Sequence, residues 1–228
     1  NAGYIMTWGS NVPLTRTPDA HFLTEVRYKG TKVVSVSPDY AESTTSSDAW
    51  LNVKAGTDAA LAMAMGHVIL KEYYIDKETP YFKEYAKEFT DMPFLVRVED
   101  INGAIQPGRF LNAKDLGSKE DGADFQTVLI DETTNEIVVP NGTMGDRHTN
   151  PQKWNLRLEN RNTGAKIDPR LSVFDQRQDV TIVKLPYFGD EEHEGVIERA
   201  IPTITVQTVD GPVKVTTVYD LILANYGI

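Results

Sequence analysis

Short apolar runs that end in polar turns set the pattern of the first part of the chain. Tyr4–Thr7, Lys32–Val36 and Ala49–Val53 read as buried strands, being brief apolar or β-branched runs bounded by turn residues. A polar turn follows each one: Trp8-Gly9-Ser10-Asn11, Ser37-Pro38-Asp39-Tyr40 and Ala55-Gly56-Thr57-Asp58. A helical stretch lies between the first two runs. Thr17-Pro18 opens it, with Thr17 as N-cap and Pro18 at the first helical position, where its missing N–H is not needed. The pattern continues through Leu23 and Val26, and Gly30 closes it. Such a strand–helix–strand unit predicts a right-handed parallel crossover. Ala41–Asp48 reads as a Ser/Thr-rich connection. Thr57 is expected to cap a helix from Asp58 to about Tyr74, whose Ala and Met stripe reads as core packing. A further helix starts at Thr79-Pro80 and runs to about Phe89.

The pattern changes near Asp91-Met92-Pro93. Phe94–Val98 alternates like a strand, and Phe125–Asp131 and Glu136–Val139 read as a hairpin joined by Glu132-Thr133-Thr134-Asn135. Thr203–Val209 and Val213–Thr217 flank Asp210-Gly211, a strong hairpin signal. Asn141–Lys153 and Lys184–Gly195 are polar and rich in turn residues, and Val218–Asn225 begins an apolar helical pattern. The expected fold is therefore α/β: a Rossmann-like parallel sheet with helices in the first half, and a mostly antiparallel β insertion with long loops in the second. The expected parts are 1–93, an α/β nucleotide-binding part; 94–217, the β-rich insertion; and 218–228, the start of a truncated helix. A strand three residues from Asn1 and an apolar pattern still running near Ile228 read as the ends of an excised piece.

Composition narrows the function classes. The net charge is −10, from 33 acids against 23 bases, which speaks against nucleic acid as a partner, because phosphate neutralisation needs clustered Lys and Arg. There is no cysteine, so this chain supplies no disulfide and no thiolate ligand to zinc or an iron–sulfur cluster. The longest apolar stretch, Ala59–Leu70, contains Gly66 and His67 and is too short to span a bilayer. His21, His67, His148 and His193 lack close metal-ligand spacing and read as structural or solvent-facing.

The three turns carry the candidate chemistry. Strand ends of a parallel sheet share one edge, and ligands bind in the crevice there. Gly9 lets a ligand approach the backbone, and Ser10 and Asn11 can donate hydrogen bonds; the alternative is a plain strand-to-helix turn. Eight residues separate Gly9 from Pro18 with no second Gly, unlike the G-x-G-x-x-G of nicotinamide enzymes. Asp39, after Pro38, stands where a ribose-binding carboxylate is placed, or simply forms the turn. Asp58, at a helix start, is strongly favoured there by the helix dipole alone; the functional alternative is bidentate acceptance from the paired donors of a guanine edge. Arg16 could fork onto a phosphate or stay solvated. Asp190–Glu194 is an acidic run of the kind that usually forms a solvated loop, with Ca²⁺ binding the alternative. Asn141-Gly142-Thr143 is a glycosylation sequon.

Tyr4-Ile5-Met6-Thr7-Trp8-Gly9-Ser10-Asn11-Val12-Pro13, with Thr15-Arg16-Thr17-Pro18-Asp19-Ala20-His21-Phe22, closely resembles the catalytic alpha subunits of membrane-bound respiratory nitrate reductases. So do Glu25–Lys32, Ser37–Glu42 and Gly56–Val68, and, later, Thr90–Pro93, Pro140–Gly142, Lys153–Leu156, Pro186–Gly189 and Val215–Leu221. The strand followed by Gly-Ser-Asn, and the Gly-Thr-Asp before a helix, resemble the wider molybdopterin oxidoreductase family. The resemblance implies a subunit holding molybdenum in bis(molybdopterin guanine dinucleotide), reducing nitrate to nitrite with electrons from iron–sulfur clusters. It implies contacts to the dinucleotide from Gly9, Ser10 and Asn11, to nucleotide from Pro38 and Asp39, and to guanine from Gly56, Thr57 and Asp58. The family's cluster-binding segment and molybdenum-ligating Asp match nothing in this chain, so no catalytic or metal residue is assigned here and the chain alone is expected to be inactive. The stretches around Thr44–Ser47 and Asn52–Ala55 depart from the family's words. Implied partners are an iron–sulfur beta subunit and a membrane haem-binding gamma subunit, and the implied location is peripheral, on the cytoplasmic face of the membrane. Nitrite oxidation, or reduction of chlorate or selenate, within the same family is one alternative; a non-catalytic nucleotide-binding module is another.

Overall fold

A computed structural model describes residues 2–141, 157–187 and 195–228. The chain divides into two compact units, one up to Gly66 and the other from His67. The acidic run Asp190–Glu194, most of the Asn141–Lys153 loop, His148 and His193 lie outside the described residues.

The first unit is built on a parallel sheet of β1 (Tyr4–Trp8), β2 (Lys32–Ser37) and β3 (Ala49–Asn52), in that spatial order. Ile5 faces Val33 and Val34 faces Ala49 across the two ladders. Only the middle strand is buried throughout its centre: Val33, Val34, Ser35 and Val36 are shielded on both faces. The expectation of three buried strands is corrected here, since β3 is mostly exposed and Thr7 is the one buried residue of β1. Each of these edge strands has a single neighbour, so less of its surface is covered.

Two short helices were not legible as such: α1 (Val12–Thr15) and, after α2 (Thr17–Tyr28), α3 (Glu42–Thr45). Arg16, not Thr17, is the N-cap of α2. The Thr17 hydroxyl donates backwards to the Leu14 carbonyl at 3.3 Å, because α1 ends directly before it and supplies an acceptor. The other end behaves as expected. Gly30, at φ 89°, donates to Arg27 O at 2.9 Å and Thr31 donates to Val26 O at 3.1 Å, closing the helix with a left-handed residue. Asp48 ties the helix to the sheet by accepting from Val33 N at 2.7 Å and Arg27 at 3.2 Å. The Val33 N–H first, and then Arg27, hold its carboxyl below the ordinary range.

Helix α4 (Asp58–Ile69) follows, and at Leu70–Asp76 the chain changes to π-helical winding. None of the residues of α4 is buried, which corrects the core-packing expectation. Ala59, Leu61, Ala62, Met63, Met65, Val68 and Ile69 surround the helix rather than forming one stripe; a single packing face cannot cover such a helix, and all-round apolar helices belong to the interiors of large proteins. Burial begins at Leu70 and Tyr74, which pack in the second unit with Ala86 of α5 (Pro80–Phe89), Leu171 and Tyr219.

The second unit is dominated by an antiparallel sheet. Its strands are β4 (Leu95–Ile101), β5 (Ala104–Phe110), β10 (Asp179–Pro186), β11 (Val196–Thr208) and β12 (Gly211–Thr217), ordered β10-β11-β12-β4-β5. Leu95, Leu111, Val128, Val173 and Val215 form its central core. Two small ladders pair β6 (Leu129–Ile130) with β7 (Ile137–Val138), as the sequence predicts, and β8 (Pro140–Asn141) with β9 (Arg157–Asn160). The β11–β12 hairpin forms as expected, with Thr208 opposite Gly211. The region read as a polar loop from Lys184 is instead the end of β10, where Val183 and Leu185 alternate into a second core cluster with Ile201 and Ala224. The final helix, α6, occupies Val218–Asn225, with the Thr217 hydroxyl accepting from Asp220 N. Among the described residues, no helix is long and apolar enough to cross a membrane.

Candidate functional site at the parallel sheet edge

Because β1, β2 and β3 run parallel, the three turns that follow them stand on one edge of the sheet. Their residues are open to solvent: Gly9, Ser10, Pro38, Asp39, Gly56, Thr57 and Asp58 are exposed, and Asn11 is half-buried. The turns are polar because the chain must leave the sheet here with its backbone groups in water.

The first turn extends the β1 ladder by one bond, from Gly9 N to Val36 O at 3.0 Å. Gly9 then takes φ 60°, the left-handed conformation that a side chain resists, and a Cβ there would meet nothing within 4 Å. Gly56 repeats both properties at φ 84°. The backbone at both turns is therefore approachable from outside. The second turn is folded inwards by the Ser37 hydroxyl, which donates to Asp39 O at 2.7 Å. Trp50 of β3 donates its Nε1–H to Ser37 O at 2.9 Å and meets Tyr40 edge-on, with ring centroids 5.3 Å apart.

Two side-chain pairs link the turns. Trp8 Nε1 donates to Asp58 Oδ1 at 2.6 Å, joining the first turn to the third. Asn11 Nδ2 donates to Glu42 Oε2 at 2.7 Å, joining the first turn to α3. That N–H, followed by Glu42's own backbone N–H, holds the Glu42 carboxyl below the usual carboxylate range. The structure thus brings Asn11 and Asp58 into the surroundings of one strand end and fixes the Asp39 turn against β3. Neither Trp8 nor Glu42 stood among the expected ligand-facing residues. Trp8 was visible as the residue before Gly9, but nothing in the sequence links it to a position fifty residues on; Glu42 lay in a stretch read as connection.

The third turn differs from expectation in one respect. Thr57 O accepts the first helical bonds, from Ala60 and Leu61, yet its hydroxyl donates to Lys54 O at 2.7 Å instead of capping α4. Arg16 is exposed at the N-cap of α2.

Chemically, the edge is rich in acceptors: the Asp39 and Asp58 carboxylates and the Asn11 carbonyl oxygen. The Asn11 Oδ1 is buried and lacks a hydrogen-bond partner. Such an edge suits the N–H and O–H groups of a base and a ribose, while the open Gly9 and Gly56 backbone suits a phosphate. Among the described residues, no group of three or more His, Asp or Glu side chains is arranged to hold a metal ion.

Residues 1–206 match the Molybdopterin oxidoreductase family. The nitrate reductase alpha chain of Bacillus subtilis (strain 168) is 52% identical over 228 residues, 100% of this chain and 18% of that protein. The respiratory nitrate reductase 1 alpha chain of Escherichia coli (strain K12) is 47% identical over 240 residues, again 100% of this chain and 19% of that protein. The perchlorate reductase subunit alpha of Dechloromonas aromatica (strain RCB) is 40% identical over 150 residues, 64% of this chain and 14% of that protein. The chain spans less than a fifth of the length of each of these relatives.

Proposed function

Since the chain belongs to the molybdopterin oxidoreductase family, we propose that its parallel sheet edge is part of the cradle for a molybdopterin guanine dinucleotide in the catalytic subunit of a respiratory nitrate reductase. The observation that carries the reading is the set of acceptors at the ends of β1–β3, with Asp58 held by Trp8 and the Asn11 Oδ1 left without a partner. The residues fit such a group: a guanine offers N1–H and an exocyclic amine, a ribose offers hydroxyls, and both need acceptors.

In this reading Gly9 and Ser10 lie along the dinucleotide, Asn11 accepts from it, Pro38 and Asp39 contact the nucleotide, and Gly56, Thr57 and Asp58 read the guanine. Residues 1–93 form the nucleotide-binding part and 94–217 a β-rich insertion. When bound, the molybdenum centre supplies the oxygen-atom transfer, with electrons arriving through iron–sulfur chemistry carried elsewhere in the subunit and its partners. This chain's contribution is binding and orientation. An iron–sulfur beta subunit, a membrane haem-binding gamma subunit and a position on the cytoplasmic face of the membrane complete the proposal. Nitrate is favoured over perchlorate as substrate because the Bacillus subtilis and Escherichia coli nitrate reductase chains match the whole chain, and at higher identity than the perchlorate reductase subunit does.

The test is Asp58→Asn in the full-length alpha subunit. One acceptor becomes a donor facing the guanine amine, and loss of a charge-assisted pair costs about 2 kcal/mol. Molybdenum and released guanine nucleotide per subunit should both fall when cofactor is limiting; unchanged loading would refute the assignment.

A further inference from the structure

We propose that Trp8 is a positioning residue, setting the Asp58 carboxylate so that it discriminates a base bearing two adjacent donors from one bearing a single donor. The inference rests on the nucleotide reading of the sheet edge and adds to it a residue that touches no ligand.

Trp8 is the last residue of β1 and pairs with Val36 of the buried middle strand. The next backbone bond, from Gly9 N to Val36 O at 3.0 Å, continues that ladder. The indole therefore projects from a strand end whose register is locked. Asp58 is different: it is exposed, in the first turn of α4 and two residues after the left-handed Gly56. A solvent-facing aspartate at a helix start would populate several rotamers if nothing held it.

The bond between them, 2.6 Å from Nε1 to Oδ1, has a polarity that chemistry leaves no choice about. An indole nitrogen only donates and a carboxylate only accepts. It is also charge-assisted, the stronger kind. Trp8 engages one lone-pair direction of Oδ1. The other direction on Oδ1, and both on Oδ2, lie outside the bond, so the carboxylate keeps its capacity for two further donors. Fixing its plane decides whether those donors are met together. A guanine edge presents N1–H and the exocyclic amine side by side; a hypoxanthine edge presents N1–H alone. A carboxylate locked by Trp8 gains from the second donor, whereas a freely rotating one gains less, because it must be ordered when the base arrives.

The test uses the full-length alpha subunit in its cofactor-free form, loaded with limiting cofactor in the presence of excess GMP or IMP. Wild type should be blocked by GMP more effectively than by IMP. Trp8→Phe keeps an aromatic side chain and removes the N–H; the GMP-over-IMP preference should fall about fivefold. In an Asp58→Ala background, Trp8→Phe should change nothing further, which a merely structural tryptophan would not satisfy. If Trp8→Phe perturbs folding, benzothienylalanine at position 8, which exchanges the N–H for sulfur at equal volume, carries the same test. A preference unchanged in the N–H-deleted protein, but lost in Asp58→Ala, overturns the role of Trp8 and leaves the nucleotide reading standing. A preference that survives Asp58→Ala overturns both.

Discussion

The Asn11 side chain gives its amide N–H to Glu42 at 2.7 Å, and its carbonyl oxygen is left buried without a partner. Glu42 can only accept, so the amide cannot be turned round without setting oxygen against oxygen. An Asn directly before a helix normally caps it by accepting with its side-chain oxygen. Asn11 precedes α1, but the second helical residue there is Pro13, which has no N–H to give. Leu14, the next residue able to cap, gives its N–H to the Asn11 backbone carbonyl instead, at 3.2 Å. We expect Asn11→Asp to place two carboxylates face to face and to lower guanine nucleotide content in the full-length subunit about tenfold. Nucleotide release after acid quenching measures it, and Asn11→Asp together with Glu42→Gln should recover part of the loss. No recovery would mean that the two side chains do not act as a pair.

Gly9 offers a test of backbone geometry without crowding. Nothing lies within 4 Å of a Cβ placed there, so Gly9→Ala should cost only the left-handed conformation, roughly 1–2 kcal/mol. Thermal unfolding of the cofactor-free subunit should show a small drop. A much larger loss would indicate that the turn packs against something the open geometry does not include.

Asp220 pins the start of α6 to the Ser172–Val173 segment, which lies before β10 in the chain. Its Oδ1 accepts from Ser172 Oγ at 2.6 Å, and its Oδ2 from Val173 N at 2.9 Å and Thr217 Oγ1 at 2.9 Å. Asp220→Asn would turn an amide donor towards these donors and should cost about 1–3 kcal/mol in urea unfolding. A change smaller than the error of the measurement would show that the segment re-forms its bonds without the carboxylate.

The pH dependence should separate two buried carboxylates. Arg109 chiefly holds the Asp115 carboxyl low, against the opposing effect of burial and with help from Asn112 N. Its folded value lies below its unfolded one, so its stabilisation is present above the ordinary 3.8 and is lost as pH falls through the folded value. Burial raises Asp220, outweighing its hydrogen bonds to Ser172, Val173 and Thr217. Its contribution is greatest below the unfolded value and fades as pH rises through the folded one. Unfolding curves from pH 3 to 7 should therefore show Asp115→Asn losing stability mainly at the upper end, relative to wild type, by about 3 kcal/mol. Asp220→Asn should deviate with the opposite pH trend; parallel profiles for both variants would contradict this assignment.

What could be read from the sequence was local. Gly30 closing α2, Thr79-Pro80 opening α5, and Val218–Asn225 as a helix all follow from residues acting within a turn of themselves. The parallel strand–helix–strand unit was legible for the same reason, and it put the three candidate turns on one edge. Asn102-Gly103 turns β4 into β5 with positive φ at both residues, 57° and 81°, but Pro107 and Gly108 break the alternation that would mark β5 as a strand. Thr17 and Thr57 looked like caps because sequence cannot show that a carbonyl behind each, Leu14 O or Lys54 O, is the nearer partner. The exposure of β3 and α4 depends on what covers them, which alternation cannot state. Trp8–Asp58 is a contact of long sequence separation, and only the folded sheet brings it about.

The π-helical winding at Leu70–Asp76 bears on how this chain could change length. Its i→i+5 bonding takes one more residue into a turn than an α-helix does. Deleting one residue from α5 would rotate Ala86 by about 100° out of its core, since each residue of an α-helix advances the face by that amount. A deletion within Leu70–Asp76 can be absorbed by reverting to ordinary winding, leaving the turn at Lys77–Thr79 where it stands. The segment is thus slack in the coding sequence, a place where a lost codon shortens the chain without turning the helix that follows.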